Sequence, residues 1–345
     1  MTAARDSTPG RRAPTMRDVA KLAGVSTSLV SLVMRGATTV SDRRHAAVLA
    51  AARELGYRPN AAARSLAEDR THTVGVVIDD LHNPFFADVI EGIHDVANAR
   101  DMFLIVAASW QDEQVEHRAI ERFLEHRVDG IVLVGLRTSH AIVREAGRLA
   151  AVASVGVVIQ EIDSIVSDDE LGAELAVDHL VALGHRDIAH ISGGRGGGAV
   201  SRRVGYLNAM ARHRLAPHVV EGDYTEHSAV AAIETLLAET QPPTAIFAAN
   251  DVMAVSAINR LQDEGRRVPD DISVVGYDNT SLGALNHISL TTINQPGRDM
   301  GHRSMTAILD RIHSPTTPTL HATIAPELIR RGTTDGTTAV PSRPR

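Results

Sequence analysis

None of the 345 residues is a cysteine, which excludes disulfides, thiolate metal sites and thiol nucleophiles and fits an intracellular protein. No apolar run is long enough to span a bilayer. The first residues, MTAARDSTPGRRAPT, carry arginines but lack the apolar stretch that follows them in a secretion signal. A cytoplasmic protein with no membrane partner is therefore expected. The 17 histidines are scattered without H-E-x-x-H or any other metal-ligand spacing, and nothing has the form of a nucleophile elbow. Neither a metal nor a cofactor is expected, and the chain does not read as an enzyme.

What is present is unevenly charged. Residues 1–70 hold twelve Arg and Lys against six Asp and Glu, so the remainder must carry −13 to give the overall −7. A basic head on an acidic body suits a polyanionic partner for the head alone. Within that head, Thr15 with Asp18 forms a short capping pattern and Val19 and Leu22 mark an apolar stripe ended by Gly24. Ser26 caps a second short helix whose Leu29, Val30 and Val33 face inward and leave Thr27, Ser28 and Ser31 outside. Ser41 caps a third helix, which runs through Val48 and Leu55 to Gly56. Two short helices joined by AGVS and backed by a third predict a helix-turn-helix. Small hydroxyl side chains at a helix start allow close approach to phosphates and base edges.

From Thr73 the pattern becomes short apolar runs (TVGVVID, FLIVAAS, GIVLVG, DIAHISG, TAIFAAN, DISVVGYD) separated by roughly one helix each. Such alternation predicts parallel sheets covered by helices. Its extent exceeds one comfortable sheet, so two α/β lobes with a cleft between them are expected. The expected organisation is a disordered tail over 1–14, the helix-turn-helix over 15–59, a hinge helix and linker over 60–71, the two-lobed body over 72–332 and a disordered tail over 333–345.

The segments DVAKLAGVS, YRPNAAARSLA, NPFF, HLVALGHRDIAHI, PTAIFAANDVMA, DISVVGYDN and LTTINQP, in this order, resemble the lactose-repressor/galactose-repressor family of bacterial transcription regulators. The resemblance runs from about Thr15 to Gly332. It implies a DNA-reading head, a hinge helix and a body like the type I periplasmic sugar-binding proteins that dimerises and takes a small effector, most simply a sugar, in its cleft. On it, Arg17, Thr27 and Ser28 stand at base-reading positions and Ser26, Ser31 and Ser41 at phosphate contacts; Thr15, Tyr57, Asn60 and Ala63 complete the DNA-facing set. Leu32 departs from the family's polar residue, and Arg35 offers a phosphate contact in its place. Leu66, in a hinge helix too short to be stable alone, would be the wedge that enters the minor groove.

For the effector, the resemblance implies aromatic walls at Phe85, Phe86 and Tyr224 and polar contacts at Arg202, Asn250 and Asp278. Gly196 and Gly198 stand where relatives place polar ligand contacts. Two rival readings remain open. GGRGGGAVSRR contains G-x-G-x-x-A between a strand and a helix, the form of a dinucleotide-binding loop in an NAD-dependent oxidoreductase; its position deep in a repeated body speaks for a flexible cleft loop instead. A transport-type sugar-binding protein would account for the body but not for the basic head.

Overall fold

The computed structural model describes residues 14–34, 39–58 and 70–336, and the chain divides into two compact units, Met1–Thr71 and His72–Arg345. In the first unit, α1 (Met16–Ala23), α2 (Thr27–Met34) and α3 (Asp42–Leu55) enclose a small core of Val19, Ala20, Val30, Val33, Val48, Ala51 and Ala52. The Asp18 amide donates to the Thr15 hydroxyl, while the Thr15 amide donates to the Asp18 carboxylate at 2.8 Å, a reciprocal cap that fixes where α1 begins. Gly24 ends it in the left-handed region at φ 66°, which favours glycine.

Three expectations are corrected in this unit. The apolar stripe of α1 runs through Met16, Val19, Ala20 and Ala23, the i, i+3, i+4, i+7 positions of one helix face; Leu22 falls off that stripe and is 46% exposed. Leu29 is only half-buried. Ser41 occupies the N-cap position of α3, but its side chain makes no capping hydrogen bond.

The second unit holds two six-stranded sheets. The first lobe contains β1 (Thr73–Ile78), α4 (Pro84–Asn98), β2 (Phe103–Ala108), α5 (Glu113–Glu125), β3 (Gly130–Val134), α6 (His140–Ala146), β4 (Ala151–Val155) and β5 (Asp163–Ser167). The second contains α7 (Asp169–Ala182), β6 (Ile188–Ile191), α8 (Ala199–Arg212), β7 (His218–Val220), α9 (Glu226–Leu237), β8 (Ala245–Ala248), α10 (Asp251–Asp263), β9 (Ser273–Asp278) and β10 (Thr291–Asn294). The chain then returns to the first lobe for α11 (Gly297–His313) and β11 (His321–Ile324), and crosses again for β12 (Glu327–Ile329). Strand orders are β11-β5-β4-β3-β1-β2 and β12-β10-β9-β8-β6-β7. All pairings are parallel except β10 with β12. The inner strands of each sheet are buried on both faces by its own pair of apolar clusters, as parallel sheets require, while the edge strand β2 stays largely exposed. All six expected strands are present.

The tail expected from residue 333 does not begin there. Thr333 is buried; its carbonyl accepts from the Val274 amide at 2.8 Å and its hydroxyl donates to the Val274 carbonyl at 2.7 Å. Thr334 and Asp335 reach His179, Thr291, His185 and Ser273. Residues 333–336 are thus tied to the second lobe by backbone and hydroxyl pairing that a polar sequence does not advertise.

Candidate ligand cleft and nucleic-acid interface

The carboxyl ends of β1, β3, β4, β6, β8 and β9 face one cleft between the lobes, where open α/β sheets place ligands. It encloses about 590 Å³, its open mouth included, and all six sequence-predicted residues line it: Phe85, Phe86, Arg202, Tyr224, Asn250 and Asp278. Each is positioned by a local device. Asn83 caps α4 by accepting from the Phe85 amide at 3.0 Å, and the following Pro84 starts the helix with Phe85 and Phe86 packed edge to face, 5.6 Å apart. Asn250 caps α10 by accepting from the Met253 amide at 2.8 Å, and its own amide donates to the Tyr224 carbonyl.

Asp278 ends β9 with φ 108°, followed by Asn279 at φ 57°, a backbone costly for non-glycine residues that persists only where surroundings enforce it. Asp251 enforces it here. Its buried carboxylate accepts from the Thr280 amide at 2.6 Å, the Thr280 hydroxyl at 2.9 Å and the Thr292 hydroxyl at 2.6 Å. Arg331 donates to Asn279 from the other side at 2.6 Å. The result aims Asp278 inward, where Gln295 and Asn83 donate to its two oxygens at 3.1 and 3.2 Å. The Asn83 bond joins the lobes.

Burial pushes the Asp278 carboxyl up to about 7, against the pull of Arg202 3.7 Å away. Arg202 is itself a hub. It donates to Asp169 at 2.9 Å and to the Ala249 carbonyl at 2.6 Å, and it stacks 3.7 Å from the Tyr277 ring. Most of its donors are already engaged, so it fixes the acceptors around it more than it offers free N–H groups.

Sequence reasoning missed Asp79, Asp80, Gln111, Asp169 and Gln295, which also line the cleft, and Arg137, which holds Asp79 through two hydrogen bonds of 2.8 and 3.0 Å. Asn83 and Gln295 sit inside NPFF and LTTINQP, and Asp79 and Asp169 immediately follow or nearly follow parallel strands, a usable signal. Gln111, in a left-handed conformation, gave none. With four aspartates against Arg202 and Arg137, the cleft is rich in acceptors and suits a neutral ligand with many hydroxyls rather than an anion.

The glycine-dense loop after β6 makes room for an aromatic side chain. A Cβ at Gly193 would collide with the Tyr224 ring, and one at Gly196 would lie 2.6 Å from it. The glycines thus admit an aromatic wall, which the Tyr224 hydroxyl locks by donating to the Gly197 carbonyl at 3.0 Å.

On the head, Thr27 and Ser28 are exposed and Ser31 half-exposed; Thr27 and Ser31, four apart, share one face. The Ser26 hydroxyl accepts from the Leu29 amide at 3.2 Å, so it caps α2 as expected. Arg17 and Ser41 are exposed, and Tyr57 packs half-buried against the small core. Arg35, Asn60, Ala63 and Leu66 lie outside the described residues.

Residues 15–60 match the bacterial regulatory proteins of the lacI family, and residues 177–334 match the periplasmic binding protein-like domain. The chain belongs to the lacI family. It is 35% identical to the HTH-type transcriptional repressor PurR of Vibrio campbellii over 92% of this chain and 98% of that one. It is also 35% identical to the ribose operon repressor of Escherichia coli, over 92% and 99%. A lac repressor dimer bound to operator and the anti-inducer ONPF superposes with a TM-score of 0.84 at 30% identity, covering 94% of this chain and all of the other. A CelR–cellobiose complex gives 0.70 at 31%, covering 93% and 99%. The protein is a DNA-binding transcriptional repressor of this family with a ligand-binding body. Its relatives are repressors rather than enzymes. No described helix is long and apolar enough to cross a membrane, and no cluster of three metal-ligating side chains occurs among the described residues.

Proposed function

We propose that the repressor acts in the cytoplasm as a homodimer on an approximately palindromic operator and that a sugar in the interlobe cleft relieves repression. The observation that carries the ligand reading is the convergence of Phe85, Phe86, Arg202, Tyr224, Asn250 and Asp278 on one acceptor-rich cleft. Asp278 and Asn250 would bind hydroxyls, Arg202 would hold the acceptors in place, and Phe85 and Tyr224 would cover ring faces. A ligand bridging the lobes competes for the interlobe bond between Asn83 and Asp278 and so biases the lobe angle.

On DNA, Thr27 and Ser28 would read the major groove with Arg17, while Ser26, Ser31, Arg35 and Ser41 meet phosphates beside Thr15, Tyr57, Asn60 and Ala63. Paired Leu66 wedges call for a pyrimidine-purine step at the operator centre, because that step unstacks easily. The dimer is supported by β2, an edge strand paired only on its β1 side whose Phe103, Ile105 and Val106 are exposed, a surface that soluble proteins otherwise avoid.

The test begins with selection of bound DNA from a random pool, followed by sugar titration of the complex in wild type and Asp278→Ala. Asp278→Ala should lose the sugar response while keeping operator affinity within several-fold. Identical sugar titration curves would reject the cleft as the switch.

A further inference from the structure

The glycine loop of the second lobe meets the first lobe at the segment Gly135–Arg137, which follows β3, and at Val157, which follows β4. A Cβ built at Gly197 would lie 3.6 Å from the Gly135 backbone and 3.8 Å from the Val157 side chain, and one at Gly196 would lie 3.1 Å from Nη2 of Arg137. The two loops are thus closely apposed. Only a bare backbone at Gly196 leaves room for both the Arg137 guanidinium on one side and the Tyr224 ring on the other.

Arg137 is the charged member of this contact, and its own lobe grips it twice. Its Nε and Nη2 donate to the two oxygens of Asp79 at 2.8 and 3.0 Å, a fork that fixes the plane of the guanidinium. Its backbone amide and that of Thr138 donate to one oxygen of Glu116, on α5, at 3.0 and 3.3 Å. The other Glu116 oxygen is buried without a partner, so among the described residues this carboxylate bonds nothing but that loop. Burying a carboxylate with one idle oxygen is costly, which singles the loop out as a segment that the first lobe holds in place against that cost.

From this geometry we infer that Arg137 is a positioning residue for the switch: held by Asp79 and Glu116, it is the seat on which the glycine loop rests, and it sets the spacing of the lobes in the ligand-free protein. It is a second joint between the lobes, besides the bond from Asn83 to Asp278. Asp79 and Tyr224 both line the cleft, so one guanidinium touches a wall from each lobe. A ligand that draws either wall toward itself unseats the loop, whatever the chemistry of that ligand.

The chain has no cysteine, so Glu125→Cys on α5 and Ala231→Cys on α9, both at exposed positions, place one spin label on each lobe. The full-length labelled chain is assembled with an excess of the unlabelled one, so that both labels measured sit in one chain, and pulsed dipolar spectroscopy reads their separation without ligand or DNA. The labelled protein should give one narrow distance. Arg137→Ala should broaden the distribution and move it to longer values by a few ångströms. Tyr224→Phe leaves the first lobe untouched and removes only the hydroxyl that bonds the Gly197 carbonyl; it should broaden the same distribution. The double variant should change it by less than the sum of the two, because both substitutions act on one contact. A distribution unchanged by either substitution, or changes that simply add, would overturn the seat. With no ligand present, these outcomes are independent of whether the cleft takes a sugar.

Discussion

Asp278 is held between two demands. Burial favours its proton, whereas a ligand hydroxyl donates best to the ionised carboxylate. Binding should therefore pull its ionisation below about 7 and release a proton, so effector affinity should rise with pH through that value. Calorimetry at about pH 6 and about pH 8 should show a gain of about tenfold. Asp278→Asn, although weaker overall, should flatten the profile. That variant separates Asp278 from Asp251 and Glu116, whose carboxyls burial also raises, to about 6 and about 7. A profile equally steep in the variant would assign the proton elsewhere.

Among the elements, the glycine loop and the last residues of the second lobe make the clearest expectations. Gly193→Ala forces a methyl group into the Tyr224 ring and should cost on the order of 1–3 kcal/mol in chemical denaturation. The cost should shrink in a Tyr224→Ala background, since the two side chains then no longer meet. A chain ending at residue 332 loses the Thr333, Thr334 and Asp335 bonds to Val274, Thr291, His179, His185 and Ser273, whereas one ending at 336 keeps them. At about 1 kcal/mol for each net hydrogen bond, the shorter chain should unfold several degrees earlier by calorimetry. Equal melting temperatures would mean that these bonds merely replace equivalent ones to water.

At the scale of the molecule, net positive charge is confined to the head and the exposed apolar edge strand to the body. The body from Arg70 onward should accordingly sediment as a dimer and lose operator binding, and the full chain's operator affinity should fall steeply with salt as phosphate contacts release counterions. Replacing Phe103 and Ile105 on β2 by lysine should shift the truncated body toward monomer. A body that stays dimeric after both replacements would place the interface elsewhere.

The sequence by itself determined the helix-turn-helix and the parallel α/β body, because caps, left-handed glycines and apolar runs act within a few residues of one another. The capping pair Thr15 and Asp18, the turn at Gly24 and the six apolar strands were all legible. It determined β4, β5, β7, β10, β11 and β12 less well, since several are three or four residues long or rich in threonine, and their burial comes from neighbours distant in the chain. The six ligand-facing side chains were reachable through family resemblance. Only the tertiary structure decided that Asp251 and Arg331 hold the Asp278 turn in shape, that Arg202 is occupied by Asp169 and Ala249, that the glycine loop clasps Tyr224, and that residues 333–336 complete a lobe. Each depends on partners 27 to 62 residues apart or more, which no local pattern encodes.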